Sequence, residues 1–219
     1  MTTTIHDAQF SALLDRLFQQ ADQAASPDFG TLTSEERERL LHSKTEYLSL
    51  YQLLKGAWLP VSRETGTLLY MLARSIRATA IVEFGTSFGL STLHLAAALR
   101  DNGGGRLITT EFEPSKVNQA RAHLAEGSVE KLVEVREGDA LTTLASDLPE
   151  SIDLVLLDGA KALYNEVLDL LESRLRPGAI IIADNADFSP EYLARVRHPH
   201  GGYLSVPFAD DVELSIRLA

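Results

Sequence analysis

The chain has 219 residues, a formal net charge of −11 and no cysteine, with 45% hydrophobic and 23% charged residues. This composition predicts one globular domain and excludes disulfides, thiolate metal sites and a cysteine nucleophile. An acidic surface repels phosphate backbones and anionic lipids, so we expect neither a nucleic-acid nor a membrane partner. No apolar run approaches the roughly 20 residues of a membrane span, and the first residues lack a signal-peptide pattern, so the expected location is cytoplasmic.

Residues 1–60 carry helical patterns and form the first predicted region. Apolar residues recur at helical spacing along 8–24 and along 34–58, which predicts two helices, the second of them long. Thr33 and Glu36 have the spacing of a capping box at the start of the second helix. The apolar stripes on both helices favour a helical cap that also mediates homodimerisation.

Residues 61–219 form the second predicted region, in which short apolar runs alternate with amphipathic stretches. Continuous apolar strands joined through helices favour a parallel sheet that is covered on both faces. The predicted strands are 80–84, 107–110, 132–135, 152–157, 179–183, 203–208 and 212–218. One predicted helix begins near Ser62 and another at Pro114. Three more cover 90–99, 161–175 and 190–196. Because the last two strands can form a hairpin at one edge, the expected fold is a doubly wound, mostly parallel seven-stranded α/β sheet.

Carboxylates occupy the ends of the first five predicted strands. They are Glu83, Glu111, Asp139, Asp158 and Asp184. Ligands of doubly wound sheets bind at the carboxyl ends of the strands, so these acids are expected to face one crevice. Such acids also occur as solvated loop residues or turn caps, and that alternative stays open.

The first predicted turn contains Gly85 and Gly89, which allow a sharp turn and close approach to a ligand. Glycine turns also occur in βα units without a ligand. The spacing is neither the three-glycine dinucleotide pattern nor a P-loop, and Glu83 would repel a pyrophosphate. S-adenosylmethionine, which is cationic and has no phosphate, fits better. We expect Glu83 to bind the amino-acid end of this ligand and Glu111 to accept hydrogen bonds from both ribose hydroxyls. We expect Asp139 to reach the adenine amino group.

Three segments together resemble the class I methyltransferases. They are Glu83-x-Gly85-x-x-x-Gly89-x-Ser91, Thr109-Thr110-Glu111-Phe112-Glu113-Pro114 and Gly138-Asp139-Ala140. More narrowly, the chain from about Leu59 to Asn185 resembles the cation-dependent O-methyltransferases, typified by catechol and caffeoyl-CoA O-methyltransferases. The resemblance implies S-adenosylmethionine as the methyl donor. The donor-binding residues that it implies are Val61, Glu83, Gly85, Thr86, Ser87, Gly89, Ser91, Glu111, Phe112, Asp139, Ala140 and Asp158.

Two further motifs match the family's catalytic pattern, Asp-x-x-Lys-x-x-Tyr beginning at Asp158 and the Asp184-Asn185 pair. The resemblance implies that Asp158, Asp184 and Asn185 bind a divalent cation and that Lys161 is the general base, acting beside Asp158. Two carboxylates and one amide oxygen suit Mg²⁺, Mn²⁺ or Ca²⁺ and not zinc. The implied reaction is metal-assisted methylation of a small catechol-like or phenolic hydroxyl. The short segment after Asn185 suggests that the N-terminal helices build part of the acceptor pocket.

Three other functions remain open from the sequence. A methyltransferase could act on another small-molecule nucleophile without metal. A nicotinamide-dependent oxidoreductase is disfavoured by Glu83 and by the missing third glycine. A non-catalytic binding protein is disfavoured by the complete set of Lys161, Asp158, Asp184 and Asn185.

Overall fold

The computed structural model describes residues 3–25, 30, 32–208 and 211–219. The helices before the sheet are α1 (Ala8–Gln23), α2 (Ser34–Leu41), α3 (Tyr47–Leu53) and α4 (Arg63–Ser75). The predicted capping box of Thr33 and Glu36 is present at the start of α2, and α4 begins near Ser62 as predicted, with Ser62 as its N-cap. Among the described residues, no helix has both the length and the apolar character that a bilayer crossing requires.

The single long helix predicted over 34–58 is wrong, because the chain breaks it between α2 and α3. The hydroxyl of Ser43 accepts a hydrogen bond from the Glu46 amide at 2.9 Å. Such a local side-chain bond competes with helix continuation and starts a new helix in another direction. The break allows α3 to lie across the sheet edge.

The remaining elements alternate along the chain. They are β1 (Ala80–Phe84), α5 (Leu90–Asp101), β2 (Arg106–Glu111), α6 (Pro114–Glu126), β3 (Val133–Glu137), α7 (Ala140–Thr143), β4 (Ile152–Leu157), α8 (Tyr164–Leu171), β5 (Leu175–Ala183), α9 (Pro190–Val196), β6 (Tyr203–Phe208) and β7 (Val212–Arg217). Within the described residues the sheet has seven strands in the spatial order β3-β2-β1-β4-β5-β7-β6. The first five strands pair in parallel, and β7 pairs antiparallel with β5 and β6. The predicted doubly wound sheet with an antiparallel edge is confirmed.

Two boundaries around α8 differ from the prediction of one helix over 161–175. A single 3₁₀ turn, Lys161–Leu163, precedes α8, and β5 already begins at Leu175. The pairing of β5 with β4 shifts register between Ile152 and Leu154, which tolerates Pro177 before the regular ladder begins at Ile180. The 3₁₀ turn keeps Lys161 next to the end of β4.

Helices cover both faces of the sheet. Leu17 of α1, Leu69 of α4 and Leu95 of α5 are fully buried in a cluster on one face. Tyr164 and Val167 of α8 belong to the cluster on the other face. The apolar stripe of α1 is therefore buried within the chain, so it is not free to form the predicted dimer interface. The carboxyl ends of β1 to β5 meet at one edge, where the candidate site lies.

Candidate active site

A cavity that opens to solvent lies at the carboxyl ends of β1 to β4. Its walls include Tyr47, Leu48, Tyr51, Gly85, Ser87, Glu111, Phe112, Lys116, Gly138, Asp139, Ala140 and Asp158. A smaller cavity beside it is lined by Val61, Thr86 and Ser91, among others. Of the predicted donor-binding residues, only Glu83 and Gly89 line neither cavity. The structure therefore brings most of the predicted set together.

The turn after β1 depends on glycine, as the sequence predicted. Gly85 has a φ of +108°, and a Cβ atom there would lie 2.5 Å from the Asp158 carbonyl oxygen. Gly89, with a φ of +88°, is the N-cap of α5. The loops after β1 and β4 thus touch through backbone atoms and form one floor under both cavities.

Glu83 lies beneath this floor and is fully buried. Its carboxylate accepts hydrogen bonds from the hydroxyls of Ser91 and Thr92 at 2.6 Å, and from Thr109 at 2.5 Å. Burial raises the pKa of Glu83 to about 7, against the lowering effect of these hydroxyls. Ser91 lies between Glu83 and the smaller cavity, so the structure places Glu83 behind the predicted ligand contact.

We expect titration of Glu83 to make the free energy of unfolding depend on pH. Its folded-state pKa of about 7 exceeds the ordinary value of 4.5, so the folded protein retains a proton that the unfolded chain releases. Stability should therefore fall as pH rises from about 4.5 to 7, by up to about 3 kcal/mol. Denaturant unfolding of Glu83→Gln should show a flatter pH profile than the wild type. The exposed control Glu130→Gln should keep the wild-type slope, and identical slopes for all three proteins would contradict the assignment.

Glu111 presents its carboxylate to the larger cavity. One oxygen accepts a hydrogen bond from the Ser87 amide at 2.9 Å, and the other accepts one from the Glu113 amide at 3.0 Å. A carboxylate oxygen can accept more than one hydrogen bond, so both oxygens can still bind a ligand hydroxyl. The hydroxyls of Ser87 and Thr110 also line this cavity, are buried and lack partners within the described part of the chain. Unpaired buried polar atoms indicate a site built for a polar ligand.

Helix α3 covers the cavity and is tied to both sides of it. The Tyr47 hydroxyl donates to Asp139 at 2.7 Å, and the Tyr51 hydroxyl donates to the Gly159 carbonyl at 3.3 Å. Asp139 also caps α7 through the Leu141 amide. The helical pattern along 34–58 includes both tyrosines and does not predict this role. Their polar tips, spaced one helical turn apart, were the available signal.

The end of β4 carries the buried pair of Lys161 and Asp158. The Lys161 Nζ atom lies 2.9 Å from Asp158 Oδ1, and both side chains are about nine-tenths buried. Burial opposes the charge on Lys161, but the Asp158 carboxylate outweighs it and holds the lysine pKa well above its usual value. Lys161 is therefore an ammonium in this arrangement. The predicted base would have to lose that proton before accepting one.

Asp184, at the end of β5, reaches the same place from the neighbouring strand. Burial, together with the nearby Asp158 charge, raises the pKa of the Asp184 carboxyl to about 7. The Tyr164 hydroxyl donates to the Asp184 carbonyl at 2.7 Å and fixes the strand end. The predicted convergence of Asp158 and Asp184 on adjacent strands is thus observed.

Asn185 follows in a left-handed conformation with a φ of +48°. Its amide nitrogen donates to Asp211 Oδ2 at 3.0 Å, an acid that the sequence analysis did not single out. No group of three or more His, Cys, Asp or Glu in the described ranges has a metal-binding arrangement. A cation at this place would therefore depend on the Asn185 amide oxygen as its third protein ligand.

Comparisons with known proteins agree with this geometry. A family model described as a methyltransferase domain matches residues 82–186. This part of the chain therefore resembles a class I methyltransferase domain. The catechol O-methyltransferase of Niastella koreensis is 34% identical over 128 residues, which cover 57% of this chain and 57% of that protein. Catechol O-methyltransferase B of Danio rerio is 33% identical over 161 residues, 70% of this chain and 60% of that protein.

The chain spans less than two thirds of the length of these curated relatives. A solved O-methyltransferase from Bacillus cereus in complex with SAH has a TM-score of 0.65 and 20% identity, covering 95% of this chain and 99% of that one. The O-methyltransferase of Streptomyces achromogenes involved in tomaymycin synthesis, in complex with SAM, has a TM-score of 0.63 and 24% identity, covering 97% and 100%. These structures share the fold, and the predicted family resemblance is confirmed. The predicted division at residues 60 and 61 stays a prediction.

Proposed function

We propose that this chain transfers a methyl group from S-adenosylmethionine to a hydroxyl of a small catechol-like or phenolic acceptor. The observation that carries the proposal is one cavity lined by the doubly anchored Glu111, by Gly85 and by Asp158, which is the partner of the buried Lys161. Relatives named catechol O-methyltransferase support the acceptor class.

The residues around the cavity fit the donor. Glu111 would accept hydrogen bonds from the ribose hydroxyls. Asp139 would accept a hydrogen bond from the adenine amino group after the Tyr47 hydroxyl has moved off it. Val61 and Ser91 would hold the amino-acid end, with Glu83 supporting Ser91 from behind. When bound, S-adenosylmethionine supplies an activated methyl group on a positively charged sulfur. The acidic residues at the strand ends favour that charge.

The acceptor side is built around Lys161 and Asp158. A phenol has a pKa of about 10 and is mostly protonated near neutral pH, so its reactive oxygen needs a proton acceptor. Lys161 is the proposed acceptor at Nζ after its ammonium has released a proton to solvent, and Asp158 holds the side chain in place at 2.9 Å. Holding the oxygen close to the methyl group removes much of the entropic barrier. Tyr51 and Leu48 of α3 line this cavity, which supports the idea that the N-terminal helices contribute to the pocket.

A divalent cation is part of the proposal. Asp158, Asp184 and the Asn185 amide oxygen would hold it, and an all-oxygen set of this kind suits Mg²⁺. When bound, the cation would stabilise negative charge on acceptor oxygens. A metal-independent transferase is the second candidate, because the Lys161 ammonium already provides a positive charge against Asp158.

Catechol methylation followed by mass spectrometry separates these two candidates. We expect EDTA to lower turnover at least about tenfold and Mg²⁺ to restore it. Asp184→Asn should be slow with or without Mg²⁺, whereas the exposed control Asp187→Asn should behave as the wild type. Turnover that is insensitive to EDTA and to Asp184→Asn would favour the metal-independent reaction. Absence of a methylated product with any phenol would contradict the proposed activity.

Homodimerisation and a cytoplasmic location also remain proposals. The apolar stripe on α1 that suggested a dimer is buried against the chain's own core. Exposed apolar side chains instead lie on the edge hairpin, where Leu204 pairs with Ile216 across β6 and β7. A dimer of this chain would therefore have to use a surface other than the α1 stripe.

A further inference from the structure

One buried lysine in the cavity is not used by the proposed reaction. Lys116 lies in the first turn of α6, is only 4% exposed and lines the larger cavity together with Glu111 and Glu113. Lysine is almost never buried to this extent unless it has a partner. The other buried lysine in this region, Lys161, has a carboxylate oxygen at 2.9 Å.

The Lys116 ammonium has no such partner among the residues that the structure describes. Within residues 3–25, 30, 32–208 and 211–219 its side chain makes neither a salt bridge nor a hydrogen bond, and its Nζ lies 5.4 Å from the centroid of the Phe88 ring. The Phe88 ring is itself held by stacking against Trp58, with 4.3 Å between centroids. The lysine therefore rests on a fixed aromatic surface beside the cavity.

The position of Lys116 is unfavourable for a residue with only a packing role. Burial disfavours its charge and lowers its pKa, although Glu111, Glu113 and Asp158 act in the opposite direction. The N-terminus of a helix also disfavours a nearby cation. An apolar side chain of similar length would pack here without either penalty. The ammonium is thus better explained by a ligand acceptor atom that occupies the cavity.

We propose that Lys116 binds the methyl donor by donating a hydrogen bond to a ribose hydroxyl that in turn donates to Glu111. A hydroxyl group can both donate and accept, a carboxylate only accepts and an ammonium only donates. Glu111 and Lys116 on one cavity wall therefore complement a vicinal diol. The inference rests on the proposed function, since it assumes a nucleoside donor, and it assigns Lys116 as a determinant of specificity for the ribose.

Calorimetric titration with S-adenosylhomocysteine and its 2′,3′-dideoxyribose analogue tests this assignment without any turnover. Lys116→Met should bind S-adenosylhomocysteine about tenfold more weakly than the wild type. Both proteins should bind the dideoxy analogue equally, because that ligand lacks the hydroxyl. Lys116→Arg should restore part of the lost affinity, and the exposed control Lys131→Met should match the wild type.

Thermal unfolding checks that the variant is folded. Removing a buried, unpartnered charge should leave the melting temperature of ligand-free Lys116→Met equal to or above that of the wild type. Unchanged S-adenosylhomocysteine affinity in Lys116→Met, or equal weakening for both ligands, would overturn the ribose contact alone. Failure of the wild type to bind S-adenosylhomocysteine would instead overturn the proposed function, and this inference with it.

Discussion

Replacing Gly85 with alanine is expected to abolish donor binding. The new Cβ atom would lie 2.5 Å from the Asp158 carbonyl oxygen and 2.9 Å from the Gly159 nitrogen, and both of these are backbone atoms. Relief would require the loops after β1 and β4 to separate, which would open the floor of both cavities. The φ of +108° adds backbone strain of about 1–3 kcal/mol.

Gly103→Ala is the matched control for this substitution. Gly103 has a nearly equal φ of +103°, but its added Cβ would meet nothing within 4 Å. Chemical denaturation and calorimetry of the two variants therefore separate backbone strain from collision. We expect both variants to lose stability and only Gly85→Ala to lose S-adenosylmethionine affinity. Wild-type affinity in Gly85→Ala would show that the contact between the two loops does not shape the site.

Replacing Lys161 with methionine is expected to lower turnover by about 10²–10⁴-fold, the usual contribution of a general acid or base. Donor affinity should change little, because the lysine lies on the acceptor side of Asp158. The loss of the ammonium leaves Asp158 buried without its counter-charge, which would raise the pKa of that carboxyl further. Unfolding measurements should accompany the kinetics for this reason.

Separate measurements of kcat and of the donor dissociation constant test this role of Lys161. The exposed control Lys55→Met should retain both values. A selective fall in kcat for Lys161→Met would support a role in the chemical step. Equal losses of turnover and affinity would instead identify Lys161 as a structural lysine that holds the loop after β4.

The positions of the strand-end acids could be predicted from the sequence, because parallel strands end at the same edge of a sheet. The direction of each side chain could not be predicted. Glu83 ends β1 as expected, yet three hydroxyls hold it beneath the cavity floor. Glu111 ends β2 and does face the cavity. Neighbouring strands and helices decide this difference, and local sequence does not encode them.

Contacts between distant segments account for most of what the sequence analysis missed. Tyr47 and Asp139 are 92 residues apart, and Asn185 and Asp211 belong to different turns at the sheet edge. The break that places α3 over the cavity lies at Ser43, whose hydroxyl accepts hydrogen bonds from the Thr45 and Glu46 amides within an otherwise helical pattern. The burial of Lys116 could not be predicted, because a lysine in the first turn of a helix is normally exposed.

The central claim is that the carboxyl edge of this sheet binds a positively charged methyl donor. Isothermal titration of the full chain with S-adenosylmethionine, and separately with NAD, tests it most directly. We expect a micromolar dissociation constant for S-adenosylmethionine, equivalent to about −8 kcal/mol, and no heat of binding with NAD. Binding of NAD in the absence of S-adenosylmethionine binding would contradict the claim.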